Sequence, residues 1–110
     1  IGDLPSIWAT VGFGIDSFDS SYPTKAARHG MILTSQGSLK INNQRYASDL
    51  NPIEPGCACP ACSQGISRAY LRHLFKVHEP NAGIWASIHN MHYMQKVMRE
   101  IREKILNDQI

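Results

Sequence analysis

Residues 57–62 read CACPAC and hold all three cysteines of the chain, Cys57, Cys59 and Cys62. An odd number of cysteines confined to one hexapeptide does not make a disulfide framework. Two uses remain: packing as small apolar groups, or holding a metal. Thiolates bind zinc well, and the C-x-C-x2-C spacing lets one loop supply three of them. Gly56 and Pro60 favour such a loop. The cluster therefore predicts a structural zinc site with reduced thiols, as expected of a cytosolic protein. A closed site takes four ligands, so one more is required. His29, His73, His78, His89 and His92 compete for the place, and spacing alone does not select one. His89 lies on a helix face that needs a partner, which the cysteine loop could be. Four protein ligands leave no open position for water, so the metal would pin a loop and contribute to folding.

The rest of the chain reads as helices around a hairpin. Leu4, Ile7, Trp8 and Val11 follow the i, i+3, i+4, i+7 pattern of an amphipathic helix. Asp3 is its N-cap, Pro5 sits in its first turn, and Gly12 and Gly14 suit its exit. IDSFDSS, residues 15–21, reads as a short buried strand opening into a loop that ends at Tyr22-Pro23-Thr24. TKAARHG is a brief basic turn or helical turn stopped by Gly30. Met31–Thr34 and Leu39–Ile41 form a hairpin around a turn at Ser35–Ser38. NNQ makes another turn, and NPIEPG is a loop leading to Cys57.

Two helices close the chain. The first begins near Ser67, with Tyr70, Leu71, Leu74, Phe75 and His78 on one face and Arg68, Arg72 and Lys76 on another. Pro80 and Asn81 separate it from the second. That last helix has an early face of Trp85, Ile88, His89 and His92 and a later stripe of Met94, Val97, Met98, Ile101 and Ile105. At about 100° per residue the two point in nearly opposite directions, which predicts a change of packing partner along the helix.

Composition excludes some functions. The formal charge of +2 is too small to argue for nucleic acid by itself. No apolar run approaches the roughly 18 residues of a membrane span. With 110 residues the chain can form one small domain. It begins without methionine, as expected of a piece of a longer polypeptide.

Four segments, GFGIDSFDSSYPTKAARHG, CACPAC, SRAYLRHLF and IHNMHYMQKVMREIRE, occur in an order and at a spacing that closely resemble the C-terminal part of the tRNA-guanine transglycosylases. The resemblance covers essentially all of the chain. It implies an α/β fold: the C-terminal portion of a (β/α)8 TIM barrel carrying a zinc-binding subdomain. Residues 1–30 would be the end of the barrel, with a helix, the eighth strand and a wobble-recognition loop. Residues 31–66 would be the hairpin and cysteine loop of the zinc subdomain. Residues 67–110 would be helices that complete the zinc site and pack on the barrel.

The resemblance also implies an activity, the exchange of guanine at the anticodon wobble position for a 7-deazaguanine, pre-queuosine base in bacterial enzymes. The implied partners are tRNA with a GUN anticodon and a second copy of the enzyme. The family's nucleophilic aspartate matches Asp19, at the C-terminal end of the eighth strand, where barrel active sites are built. The family's zinc ligands match Cys57, Cys59, Cys62 and His89. Gly2, Asp3, Thr24, Lys25 and Arg28 fall in segments that contact tRNA. Lys25 stands where arginine is commoner, keeping the charge but losing the planar bidentate fork. The stripe of Arg68, Arg72 and Lys76 is either a phosphate-binding face or a solvated one. The guanine pocket and the second aspartate, a general acid/base, lie upstream of this chain. The isolated chain is therefore expected to be inactive. The alternatives are a zinc-stapled RNA-binding module and a dimerisation module without catalysis.

Overall fold

The computed structural model describes residues 2–110. Asp3 accepts a hydrogen bond from the Ser6 N–H at 3.3 Å and caps helix α1, Leu4–Val11. Ile7 and Val11 of α1 are buried, and Trp8 stays 40% exposed. Helix α2, Tyr22–Arg28, is longer than the expected turn, because Pro23 falls in its first turn, where its missing N–H costs nothing. Gly30, at φ 77°, ends it. Strands β1, Met31–Ile32, and β2, Leu39–Lys40, pair antiparallel with Ile32 opposite Leu39. The hairpin is thus shorter than its apolar pattern suggests. A 3-10 turn, Gln44–Tyr46, and the four-residue helix α3, Pro60–Ser63, follow. Helix α4 spans Arg68–Lys76 behind a Ser67 cap, and α5 spans Asn81–Leu106. At about 1.5 Å per residue α5 is roughly 39 Å long, and it gives the molecule its 45 Å extent.

Two hydrophobic clusters share α5. The first gathers Ala27, Ile32, Leu39, Ile41, Tyr46, Ile53, Cys59, Ala61, Leu71 and Ala86. The second gathers Ile7, Val11, Leu33, Met94, Val97 and Ile101. The expected change of partner along α5 is therefore present, but the two-faced geometry is not. The buried positions Ala82, Ala86, His89, Asn90, Met94, Val97 and Ile101 form one continuous stripe. Trp85, Ile88 and His92 flank it, partly buried. Small residues win the inner side because Ala82 and Ala86 let neighbouring backbones approach α5 closely.

Three further expectations change. Residues 15–20 form no strand, and Ile15 is 46% exposed. A strand needs a hydrogen-bonding neighbour, and none lies beside this segment among the described residues. His78 leaves the face of α4, since the chain turns to φ 56° there. The basic stripe of α4 is neither free nor simply solvated. Arg68 pairs with Asp49 at 3.3 Å, donates to the Ile53 carbonyl at 3.2 Å and lies over the Tyr46 ring. Arg72 donates to the Asn43 carbonyl and to Gln44 Oε1. Both guanidiniums hold the turn at residues 43–53 against α4, and Lys76 is exposed.

Candidate metal centre

The cysteine loop is shaped by its own backbone. Gly56, at φ 80°, turns the chain, and the Cys57 N–H bonds the Glu54 carbonyl at 3.1 Å. The Cys59 N–H then points at Cys57 Sγ, 3.4 Å away, and the Cys62 N–H at Cys59 Sγ, 3.3 Å away. Peptide donors aimed at sulfur stabilise thiolates. Glu54 is itself buried and fixes the loop from behind, accepting from the Ser35 N–H and hydroxyl in the hairpin turn.

From the opposite side α5 delivers His89, fully buried. Its Nδ1 lies 3.9 Å from Cys57 Sγ, 3.5 Å from Cys59 Sγ and 3.5 Å from Cys62 Sγ. Four donors around one tetrahedral ion, with metal–sulfur near 2.3 Å and metal–nitrogen near 2.0 Å, would sit about 3.6 Å apart. The observed separations match that figure, so the residues fit a closed Cys3His site. His89 Nε2 lies 2.8 Å from the Leu33 carbonyl, which can only accept. The ring proton therefore sits on Nε2, and the Nδ1 lone pair faces the three sulfurs. Among the described residues this is the group of His, Cys, Asp and Glu side chains close enough to hold a metal. The other histidines are elsewhere: His29, His73 and His78 are exposed, and His92 is half-buried on the flank of α5.

Burial sets the proton balance. Desolvation raises the Cys59 thiol above its ordinary value and pushes Cys62 up to about 12. Desolvation lowers His89, so its imidazole stays neutral. Without metal, Cys59 and Cys62 are protonated at pH 7, and a metal must displace both protons. Metal affinity is therefore expected to fall as pH falls, with at least two protons released per ion between pH 8 and 6.5. Because desolvation lowers His89, the imidazole adds little to that release. Competition titrations with a chelator across this range check the slope.

The remaining sequence-derived residues lie apart from this cluster. Asp19 is exposed and, with Gly2, Phe18, Ser20, Met91 and Met98, lines an open cleft of about 220 Å³ beside the middle of α5. Asp3 is occupied as the α1 cap, and the Ser6 hydroxyl holds its carboxyl below the usual range. Thr24 Oγ1 donates to the Ser21 carbonyl. Lys25 and Arg28 are exposed in the last turn of α2. Gly2 is buried, and a Cβ there would collide with the Cβ and Oγ of Ser20. Gly2→Ala is thus expected to cost about 1–3 kcal/mol. Ser20→Gly should suppress that cost in a double-mutant cycle read by denaturant unfolding.

Sequence reasoning passed over Asn90. It is fully buried and bonds three backbone groups. A polar residue next to a candidate ligand, on the inner side of an amphipathic helix, is the signal that could have found it.

Comparison with known proteins adds the last observation. A family model described as Queuine tRNA-ribosyltransferase matches residues 1–110. A queuine tRNA-ribosyltransferase of Chlamydia muridarum is 96% identical over the whole chain, which covers 30% of that protein. Those of Chlamydia trachomatis serovar D and Chlamydia felis are 93% and 76% identical over the same span, again 30% of each. The chain thus spans about a third of the length of these relatives.

Proposed function

The chain belongs to the queuine tRNA-ribosyltransferase family, and on that premise we propose that it is the C-terminal part of a tRNA-guanine transglycosylase. The match over every residue carries this reading. The whole protein exchanges guanine at the wobble position of tRNAs with a GUN anticodon for pre-queuosine base. Residues 1–30 close a (β/α)8 barrel, 31–66 form the zinc subdomain, and 67–110 return to the barrel. The segment around Asp19 then gains its strand partners from the remainder of the barrel.

Asp19 is the nucleophile in this proposal. Its carboxylate attacks the ribose C1′ through an oxocarbenium-like transition state. The bond from C1′ to guanine breaks, and guanine leaves with the electron pair, taking a proton from an acid elsewhere in the protein. The incoming base then displaces the carboxylate, re-forming a bond to C1′ and losing its own ring proton. The exposure of Asp19 beside an open cleft supports this role. Lys25 and Arg28, with Gly2, Asp3 and Thr24, serve the tRNA side, where exposed cations meet phosphates.

Zinc is the ion assigned to Cys57, Cys59, Cys62 and His89, since three thiolates and an imidazole are its preferred donors. It would supply structural cross-linking and no chemistry on the substrate. The protein is placed in the cytoplasm, with its thiols reduced, and works as a homodimer. An incorporation assay with labelled guanine and unmodified tRNA tests the reading. Full-length protein should turn over, and the isolated 110-residue chain should not. A full-length protein that leaves tRNA unlabelled would sink it.

A further inference from the structure

We propose that Asn90 is a positioning residue for the metal centre, tying the ligand His89 to both the hairpin and the α2 segment. Its side chain is fully buried with its amide satisfied on both ends. Oδ1 accepts from the Leu33 N–H at 2.9 Å. Nδ2 donates to the Pro23 carbonyl at 3.0 Å and to the Met31 carbonyl at 2.9 Å. Two carbonyls can only accept, so the orientation of the amide is fixed by its surroundings.

The neighbouring residue His89 holds the other backbone group of the same residue, Leu33. Its Nε2–H donates to the Leu33 carbonyl at 2.8 Å, while Nδ1 faces the sulfurs. Leu33 is therefore gripped through both backbone groups by two successive residues of α5. The carbonyl that orients the His89 ring is located by the N–H that Asn90 holds. Outer partners of this kind orient a metal ligand and set its basicity. Through Pro23 the same amide reaches the helix that follows Asp19 and Ser20.

This inference rests on the metal-centre reading, and the experiment separates the two. Full-length protein is loaded with Co2+, and its visible absorption and the rate of metal release to a chromophoric chelator are measured. Asn90→Ala is expected to alter the cobalt absorption envelope and speed release about tenfold or more. Asn90→Asp, of nearly the same size, keeps the acceptor but loses both donors, and should move both readouts in the same direction. Val97→Ala, a truncation in the second cluster, should leave both unchanged. Either Asn90 variant loading metal with the parent's spectrum and release rate overturns the proposal. So does Val97→Ala releasing metal as fast as the Asn90 variants. Elemental analysis of the unaltered protein showing no bound metal would overturn the metal-centre reading, and this proposal with it.

Discussion

Asp19→Asn in the full-length protein is expected to lower base exchange by roughly 10⁴-fold or more, the scale on which loss of a nucleophile is felt. The covalent protein–RNA adduct trapped on a denaturing gel should vanish with it. The substitution keeps the size of the side chain but replaces a carboxylate oxygen with an amide nitrogen, which cannot form the ester to C1′. Asp19 is exposed, so the change should leave stability within about 0.5 kcal/mol. Unaltered stability with abolished chemistry distinguishes a nucleophile from a turn residue. An adduct that survives would assign the attack to another residue.

Removal of the metal carries the second large effect. Structural zinc sites bind with about 10–16 kcal/mol of apparent free energy, while whole domains are stable by about 5–15 kcal/mol. The first cluster is modest, and Cys59, Cys57 and Cys62 are part of its wall. Losing the ion should therefore open the hairpin and the cysteine loop. Chelation, or Cys59→Ser, is expected to make backbone amides of residues 31–66 exchange rapidly with solvent. The second cluster holds no metal ligand and, apart from Leu33, lies outside residues 31–66, so it should keep more of its protection. Hydrogen exchange read by mass spectrometry checks both halves. Slow exchange throughout 31–66 after the metal is gone would show that the apolar contacts suffice.

The legible parts of the fold were the local ones. Helix α1 carried its own cap, proline and apolar spacing, so its ends could be read directly. The cysteine loop was legible because three thiols in six residues admit few uses. Spacing does not select His89, since it lies 27 positions beyond Cys62 and tertiary structure alone closes that gap; the family resemblance supplies it. Apolar bulk alone points to the wrong inner side of α5. The helix instead buries Ala82 and Ala86 for close approach, and His89 and Asn90 for their bonds. IDSFDSS, residues 15–21, has the composition of a short buried strand opening into a loop, but a strand is a property of a pair. The stripe of Arg68 and Arg72 reads as phosphate-binding or solvated and is neither, because spacing along a helix does not reveal that a loop lies against it.

The length of α5 turns a local fit into a distant one. A rigid arm about 25 Å long, from His89 to the end of α5, that tilts by about 5° carries its tip through roughly 2 Å. His89 fixes the helix about a third of the way along, while Ile101 and Ile105 lie on its longer, far arm. An ion of the wrong radius or preferred angles would therefore act as a misplaced fulcrum. The displacement would be small where the metal sits and magnified where α5 meets α1. Metal exchange should accordingly be felt as misalignment of remote surfaces even when all four donors remain bound.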